Sequence, residues 1–310
     1  MNKDFLSIHD LTPYEFHEIL DSAEDIKAHP DKYRKALKGR ILAMVFEKPS
    51  LRTRMTFEVG MLELGGKAIY LSPNEVQIGK RETAEDVAHN LERWVDGIMY
   101  RCFSHGDAVR MARAAKIPVI NALSDKSHPC QGMADIFTLR EHKNGLSGLK
   151  LTYVGDGNNV CHSLMLAAAK AGTRMAVATP KGYEPDPEYV RLALEDGKEA
   201  GFALQVTNAP REAAAGADAI YTDVWASMGQ ETEKEARARI FAPYQVDAAL
   251  MAAANPGAVF MHCLPAHRGE EVSAEVFESA ASIVFDEAEN RLHVQKAIMI
   301  RLMGKKEKHG

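Results

Sequence analysis

The segment Ile41–Arg54, ILAMVFEKPSLRTR, indicates both the fold class and one candidate site. Its first six residues, Ile41–Phe46, form a short apolar run that is typical of a strand buried on both faces. The polar residues that follow lead into Ser50–Arg54, which opens a helix predicted from about Thr53 to Leu64. A strand, a polar turn and a helix in this order predict βαβ units and therefore a parallel sheet.

The same alternation continues along the chain and restarts after Gly145–Gly148. We predict an α/β fold of two doubly wound domains, residues 1–145 and 146–288, each a parallel sheet flanked by helices. Residues 289–310 are predicted to hold a last helix, Asn290–Met303, that packs back on the first domain. The predicted strands are Ile41–Phe46, Ala68–Leu71, Gly97–Tyr100, Pro118–Ile120, Leu151–Val154, Met175–Ala178, Leu204–Thr207, Ala219–Thr222 and Ala258–His262.

The composition argues against several classes of protein. The chain has 310 residues, of which 46% are hydrophobic, and a formal net charge of −5, so a basic nucleic-acid scaffold is not expected. It contains no apolar stretch of about 18 residues, and its first residues lack the apolar core of a signal peptide. We therefore expect a cytoplasmic protein that does not cross a membrane. The four cysteines are scattered without a CxxC pair, which predicts neither a disulfide framework nor a cysteine zinc site.

Polar or reactive residues follow six of the predicted strands. Parallel sheets bind ligands at the carboxyl ends of their strands, so these residues are candidates for one site. They come from both halves of the chain, which predicts a cleft between the two domains. The segments are Glu47–Arg54, Arg101, His128–Gln131, Gly155–Asn159, Asp223–Gly229 and His262–Pro265.

Each of these segments also has an ordinary structural explanation. Ser50 is a suitable helix N-cap, Arg101 a surface arginine, His128 a hydrogen-bonded loop histidine, and Cys263 a small buried hydrophobe. Gly155–Asn159 resembles the start of a nucleotide-binding loop, but it lacks the GxGxxG pattern. The shared position of the segments at strand ends favours a joint functional interpretation.

Several motifs resemble those of the aspartate/ornithine carbamoyltransferase family. The three motifs that fit the whole family are Ser50–Arg54, SLRTR; His128–Gln131, HPCQ; and His262–Pro265, HCLP. Asp223–Gly229, DVWASMG, resembles the ornithine-using branch in particular, and Phe285–Arg291, FDEAENR, matches as well. The resemblance covers nearly the whole chain in order.

The resemblance implies a role for each of the motif residues. Leu51 is a departure, because many ornithine-using members have threonine there, at a position thought to contribute through its backbone. The implied catalytic residues are Arg101, His128 and Cys263. The implied carbamoyl phosphate-binding residues are Ser50, Leu51, Arg52, Thr53, Gln77, Arg101, His128, Gln131, Cys263, Leu264 and Arg291, and the implied ornithine-binding residues are Asn159, Asp223, Ser227 and Met228.

The resemblance also implies the reaction and its partners. The side-chain amine of L-ornithine attacks carbamoyl phosphate directly, which gives L-citrulline and phosphate without a covalent enzyme intermediate. Neither a cofactor nor a metal is expected. Members of the family are trimers or multiples of trimers, so we expect a homotrimer. Biosynthetic and catabolic members share these residues, and the physiological direction stays open.

Three other functions stay open on the sequence. A carbamoyltransferase for putrescine or an N-acylated ornithine would keep the same motifs, although Asp223 favours a substrate with a free α-ammonium group. A binding or regulatory protein would keep the fold without catalysis, but the complete set of arginine, histidine and cysteine argues against it. A nucleotide-dependent dehydrogenase depends only on the βα pattern and Asp156–Gly157.

Overall fold

The computed structural model describes residues 3–226 and 233–304, which fall into two compact units. Unit 1 comprises Met1–Met133 with Glu289–Gly310, and unit 2 comprises Ala134–Ala288. The chain changes from one unit to the other inside two continuous helices, Pro129–Lys143 and Val284–Met303. The first change lies at 133/134, before the predicted boundary at 145/146, and the second lies at 288/289. The extents of the functional domains stay a prediction.

Unit 1 contains a four-stranded parallel sheet with the order β2-β1-β3-β4. The two central strands are almost fully buried, whereas edge strand β2 is partly exposed. Phe5 extends the sheet beyond β4, because its backbone pairs with that of Val119 and Asn121. The elements are α1 (Pro13–Ala28), β1 (Ile41–Phe46), α2 (Leu51–Glu63), β2 (Lys67–Leu71), α3 (Pro73–Val76), α4 (Ala84–Leu91), β3 (Gly97–Arg101), α5 (His105–Ala114) and β4 (Val119–Leu123), followed by α6 (Pro129–Lys143), which continues into unit 2.

Unit 2 contains a five-stranded parallel sheet with the order β7-β6-β5-β8-β9. The predicted fold class, two parallel sheets flanked by helices, is confirmed. The elements are β5 (Lys150–Val154), α7 (Asn159–Ala171), β6 (Arg174–Ala178), α8 (Pro187–Asp196), β7 (Leu204–Thr207), α9 (Pro210–Ala214), β8 (Ala219–Thr222), α10 (Lys234–Phe241), α11 (Ala248–Met251), β9 (Val259–His262) and α12 (Ala274–Phe277), followed by α13 (Val284–Met303), which ends in unit 1.

Helices α6 and α13 begin earlier than the apolar spacing predicts. The apolar spacing predicts a helix over Met133–Glu141, whereas α6 begins at Pro129, and α13 begins at Val284 instead of Asn290. In both helices buried polar side chains occupy inward positions, for example Asp135 in α6 and Glu287 in α13. A helix that buries polar residues lacks the amphipathic pattern on which the prediction depends.

The sequence pattern also predicts a helix over Val246–Ala254, and α11 is shorter than that. Val246 is extended instead, since its backbone N–H donates to Glu271 O at 2.9 Å and the segment pairs with Val272. The helix starts only after Asp247, whose side chain caps it by accepting from Leu250 N. Within the described residues, no helix is both long and apolar enough to span a lipid bilayer.

Candidate active-site residues

In unit 1, the sheet register places the start of α2 beside the end of β3. Phe46, the last residue of β1, pairs with Arg101, the last residue of β3. Ser50 is the N-cap of α2, because its Oγ accepts a hydrogen bond from Thr53 N at 3.3 Å. The first turn of a helix has backbone N–H groups without intrahelical partners and carries partial positive charge. The start of α2 is therefore suited to bind a phosphate group.

Two buried guanidinium groups meet at the Thr53 hydroxyl. Arg101 Nη1 donates to Thr53 Oγ1 at 3.3 Å, and Arg291 Nη2 donates to the same oxygen at 3.4 Å. Arg291 Nη1 also donates to Gln131 Oε1 at 2.5 Å. All four side chains are buried, and arginine stays charged in proteins. We call Thr53, Arg101, Gln131, Arg291 and the neighbouring His128 the cationic cluster.

His128 is a buried, neutral member of the cationic cluster. It lies directly before α6. Burial lowers the pKa of its imidazole well below the ordinary value, and the positive charges of Arg291 and Arg101 lower it further. At neutral pH the imidazole therefore has one N–H to donate, without a charge of its own.

Lys48 adds to the positive potential around the cationic cluster. Burial lowers the pKa of its ammonium group, and the charge of Arg101 lowers it further. Its side chain lies over the Phe103 ring, with Nζ 4.8 Å from the ring centroid. Cations so close together repel one another, and a doubly charged anion would relieve that repulsion.

The remaining predicted residues of unit 1 have different surroundings. Leu51 is 74% exposed, Ser50 and Arg52 are partly buried, and Gln77 is exposed at the end of α3. Gln77 adopts a left-handed backbone conformation, with φ of 51°, and its Nε2 donates to Asn74 O at 3.2 Å. The substrate contacts of these four residues stay a prediction.

In unit 2, a second cluster forms around Asp223, at the adjacent ends of β8 and β9. Thr222 pairs with His262, so the residues that follow them, Asp223 and Cys263, are brought together. Asp223 accepts hydrogen bonds from Cys263 Sγ at 3.1 Å and from Asn158 Nδ2 at 2.8 Å. We call Asn158, Asp223 and Cys263 the Asp223 cluster.

The thiol of Cys263 stays protonated in these surroundings. Burial raises its pKa well above the ordinary value, and the neighbouring Asp223 carboxylate, to which the thiol donates, raises it further. A thiolate is the reactive form of cysteine, so Cys263 is poorly suited to act as a nucleophile or base near neutral pH. Leu264, the next residue, has a left-handed backbone with φ of 57°.

Asn158 lies in the candidate segment Gly155–Asn159, but the sequence assigned it no role of its own; in the structure it links the start of α7 to Asp223. Its Oδ1 accepts from Val160 N and Cys161 N, so it is the N-cap of α7, and this leaves Nδ2 to donate to Asp223. An asparagine directly before a predicted helix is a recognisable N-cap signal. Asn159, the first residue of the helix, stays a predicted ornithine ligand.

Two predicted ornithine-binding residues, Ser227 and Met228, lie outside the described residues.

The glycine after Asp156 has a packing function. A Cβ added to Gly157 would lie 2.3 Å from Pro185 N, and the amide of Gly157 donates to Tyr183 O at 2.9 Å. The segment around Pro185 therefore lies where a dinucleotide-binding loop would need open space for its ligand. This contact argues against the dehydrogenase alternative.

Among the described residues, two groups of side chains bring possible metal ligands close together. Both nitrogens of His262 are already engaged, with Leu264 N and Glu271, and Glu270 is paired with Lys234 Nζ at 3.0 Å. These contacts give the side chains a role without an ion, and we assign no metal to them. The groups are Asp223, His262 and Cys263, and His267, Glu270 and Glu271.

Two family models match the chain in order. The carbamoyl-P binding domain of aspartate/ornithine carbamoyltransferase matches residues 3–141, and the Asp/Orn binding domain matches residues 147–302. The chain belongs to the aspartate/ornithine carbamoyltransferase family. The family resemblance inferred from the motifs is thereby confirmed. Every residue of the cationic cluster and of the Asp223 cluster lies within one of these two matched segments.

Full-length relatives of this carbamoyltransferase family carry a more specific name. Ornithine carbamoyltransferase of Carboxydothermus hydrogenoformans is 52% identical, over 97% of this chain and 98% of the relative. The anabolic ornithine carbamoyltransferase of Pyrococcus furiosus is 49% identical, over 97% of this chain and 96% of the relative. The solved structure of ornithine carbamoyltransferase from Pyrococcus furiosus has a TM-score of 0.95 at 49% identity, with 98% of each chain covered. That from Thermus thermophilus has a TM-score of 0.88 at 48% identity, with 98% of this chain and 99% of the other covered.

Proposed function

We propose that this chain transfers the carbamoyl group of carbamoyl phosphate to the side-chain amine of L-ornithine, which gives L-citrulline and phosphate. The observation that carries the proposal is the pair of buried clusters with opposite charge. The cationic cluster suits a small dianion, and the Asp223 cluster offers a carboxylate to an ammonium group. The reaction requires both.

The cationic cluster and the start of α2 bind carbamoyl phosphate in this proposal. Ser50, Leu51, Arg52 and Thr53 hold the phosphate through the helix N-terminus and their polar groups. Arg101 and His128 donate to the carbonyl oxygen, with Thr53 beside them, and Gln131 contacts the carbamoyl nitrogen. Gln77, Arg291, Cys263 and Leu264 complete the set of carbamoyl phosphate ligands.

The Asp223 cluster provides the ornithine-binding residues. The Asp223 carboxylate pairs with the α-ammonium group of ornithine, and Asn159, Ser227 and Met228 complete the ligand set. Asn158 keeps Asp223 in place through its 2.8 Å hydrogen bond. Putrescine keeps the corresponding ammonium group and lacks the α-carboxylate, whereas an N-acylated ornithine has no charged α-nitrogen. A buried carboxylate that loses its ammonium partner is penalised, so an N-acylated ornithine should be a poor substrate.

Catalysis depends on positioning and charge stabilisation in this mechanism. The nitrogen lone pair forms a bond to the carbonyl carbon, the C–O bond to phosphate breaks, and the phosphate keeps the electron pair and takes up the proton that the attacking nitrogen then loses. Arg101 and neutral His128 stabilise the negative charge that develops on the carbonyl oxygen. The guanidinium groups and the α2 N-terminus stabilise the departing phosphate.

The attacking amine must first lose a proton. A lysine-like amine with a pKa of about 10.4 requires roughly 4.6 kcal/mol to be neutral at pH 7. Cys263 is protonated and donates to Asp223, which makes it a poor acceptor for that proton. We propose that ornithine is selected in its deprotonated form, and that Cys263 acts by orienting Asp223.

The chain is proposed to act in the cytoplasm, in arginine biosynthesis, as a homotrimer. Several large apolar side chains of unit 1 are exposed, and such side chains commonly mark an interface. They include Leu51, Met55, Leu62, Trp94 and Phe103. Light scattering on the purified chain should give three times the mass of one chain, or a multiple of that. A single-chain mass would contradict the trimer without affecting the proposed reaction.

Side-by-side turnover tests the proposed reaction. The full chain, with carbamoyl phosphate saturating, would be assayed with ornithine, putrescine, N-acetylornithine and aspartate, and the carbamoylated product measured in each case. Because a site built around a charged hydrogen bond rejects analogues that lack it, we expect kcat/KM for ornithine to exceed that for N-acetylornithine by at least about 100-fold. Equal use of putrescine or N-acetylornithine would favour the alternative substrate, and no product with any amine would overturn the proposal.

A further inference from the structure

The turn after β9 needs an external support. Cys263 and Leu264, both assigned above to carbamoyl phosphate, follow directly after His262, the last residue of the strand. Leu264 has φ of 57°, in the left-handed region that residues other than glycine adopt only rarely. A conformation of this kind persists only when the surrounding structure holds it.

His262 holds this turn with its side chain. Its Nδ1 accepts a hydrogen bond from Leu264 N at 2.9 Å, and its Nε2 lies 3.2 Å from Glu271 Oε1. Both side chains are fully buried, with 0% exposure. Since a backbone N–H can only donate, Nδ1 must be the unprotonated nitrogen. The proton of the neutral imidazole is then on Nε2, where it faces the Glu271 carboxylate.

Glu271, which faces Nε2 of His262, is itself anchored to the backbone. Its Oε1 also accepts from His267 N at 2.5 Å, which anchors the carboxylate to the chain. Burial by itself would raise the pKa of this carboxyl group, but the hydrogen bonds from His262 and from the His267 amide outweigh burial, and the pKa lies below its ordinary value. Glu271 is therefore an ionised acceptor, which favours the Nε2–H form of His262.

We propose that His262 and Glu271 are positioning residues for the carbamoyl transfer. Glu271 fixes the imidazole tautomer, and the imidazole holds Leu264 N, so that the turn presents Cys263 and Leu264 to carbamoyl phosphate. This inference depends on the function proposed above. It assigns a role in catalysis to the first residue of the HCLP motif, which otherwise reads as a buried residue that ends a strand.

Two nearly isosteric variants separate positioning from packing. In His262→Asn, the side-chain oxygen can take the place of Nδ1, since asparagine commonly accepts from the backbone N–H two residues later. In His262→Gln, the side-chain amide can take the place of Nε2–H and donate to Glu271, but it no longer accepts from Leu264 N. Both variants remove the same ring from the core, so a purely structural role predicts similar losses.

The kinetics of these variants provide the first test. A small misplacement of reacting groups lowers rates steeply, so we expect His262→Gln to lose on the order of 100-fold in kcat. His262→Asn should stay within about fivefold of the original chain, because the Leu264 hydrogen bond is retained. KM for carbamoyl phosphate should change less than kcat, because the phosphate is assigned to residues of unit 1. Thermal unfolding of both variants reports any difference in folding.

A spectroscopic measurement on the unaltered chain provides the second test. Nitrogen-15 labelling of the histidines should give His262 one protonated nitrogen, Nε2, and one unprotonated nitrogen, Nδ1. Glu271→Gln should weaken that preference and lower kcat. His267→Asn is the matched control, because His267 Nδ1 lies 3.5 Å from the other Glu271 oxygen and the His267 side chain is 45% exposed. Because the substitution keeps the backbone N–H that anchors Glu271, it should leave both the tautomer and kcat unchanged.

The outcomes that overturn the inference differ from those that overturn the proposed function. If the unaltered chain produces no citrulline, the proposed function is wrong. If it is active, equal kcat values for folded His262→Asn and His262→Gln would overturn the positioning role. An Nδ1–H or doubly protonated His262 in the unaltered chain would overturn it as well, even if neither variant folded.

Discussion

The cationic cluster of unit 1 buries its titratable group among positive charges. The Asp223 cluster of unit 2 buries its titratable group beside a negative charge. In the first, burial and the charges of Arg291 and Arg101 lower the pKa of His128. In the second, burial and the Asp223 carboxylate raise the pKa of Cys263. The two environments carry charges of opposite sign, but each keeps its titratable side chain, His128 or Cys263, neutral near pH 7. Under the proposed function, a neutral imidazole and a neutral thiol position the substrates without competing for their charges.

The largest expected effect is that of removing a charge from the cationic cluster. Arg101→Met should lower kcat/KM by about 10³-fold, because a donor aimed at the developing oxyanion is lost from a buried site. Steady-state kinetics would measure the loss. The matched control is Arg113→Gln, at an exposed arginine of the same unit, which should leave the rate unchanged. Equal losses in both variants would mean that net charge, and not the cluster, governs binding.

Asp156 of unit 2 should make the stability of the folded chain depend on pH. Burial raises the pKa of its carboxyl group to about 6, although Arg237, to which it is paired, lowers it. Between the ordinary pKa of 3.8 and this value, the folded chain binds a proton that the unfolded chain has released. The contribution of Asp156 to stability therefore falls as the pH rises, by about 3 kcal/mol at most.

The measurement is urea unfolding of the original chain and of Asp156→Asn between pH 4 and pH 7. The stability difference between them should move against the original chain as the pH rises. Asp31→Asn, at an aspartate whose side chain is 81% exposed, is the control and should show little pH dependence. A difference that stays constant, or that moves the other way, would contradict the raised pKa.

Loss of the carboxylate from the Asp223 cluster should alter specificity more than stability. In Asp223→Asn the side-chain oxygen can still accept from Cys263, but the ammonium group of ornithine loses a charged partner. We expect kcat/KM for ornithine to fall roughly 10- to 100-fold, with little change for N-acetylornithine, whose α-nitrogen is uncharged, because a charged hydrogen bond contributes about 1.5–3 kcal/mol. Glu235→Gln, at an exposed carboxylate of the same unit, should change neither rate. An equal loss with both amines would remove Asp223 as the specificity residue.

The smallest expected effect tests whether Ser50 is only a helix cap or also a phosphate ligand. Ser50 caps α2 and Thr12 caps α1, each by accepting from the backbone N–H three residues later. Ser50→Ala and Thr12→Ala should therefore each cost about 1 kcal/mol of stability. Only Ser50→Ala should raise KM for carbamoyl phosphate, by several-fold. The same KM in both variants would show that Ser50 acts as a cap and not as a phosphate ligand.

Much of the fold follows from the sequence because local patterns specify it. The run Ile41–Phe46 is a strand with the predicted bounds, and the capping box at Thr12 and Glu15 starts α1 as expected. The starts of α6 and α13 could not be predicted in this way. Their inward positions carry Asp135 and Glu287, whose burial depends on hydrogen bonds to residues far away in the sequence, such as the 3.2 Å contact between Tyr221 and Glu287.

For the candidate site, too, the sequence predicted one part and the structure was needed for the rest. The motifs identify Arg101, Thr53 and Arg291 separately, but only the fold brings two guanidinium groups to one hydroxyl. Asn158 was not selected, because an N-cap signal says nothing about the free amide nitrogen that reaches Asp223. The neutrality of His128 also needed the structure, since the pKa depends on burial and on charges from other elements.

The sequence by itself determined the α/β class, the strands and the family, because these depend on apolar runs, caps and motifs within short segments. Only the tertiary structure decided which polar groups form hydrogen bonds or charge interactions with one another. Sheet register places Phe46 beside Arg101 and Thr222 beside His262, and those pairings join segments more than 35 residues apart. Electrostatic interactions depend on distance in space and on burial, and neither quantity is written in the order of the residues.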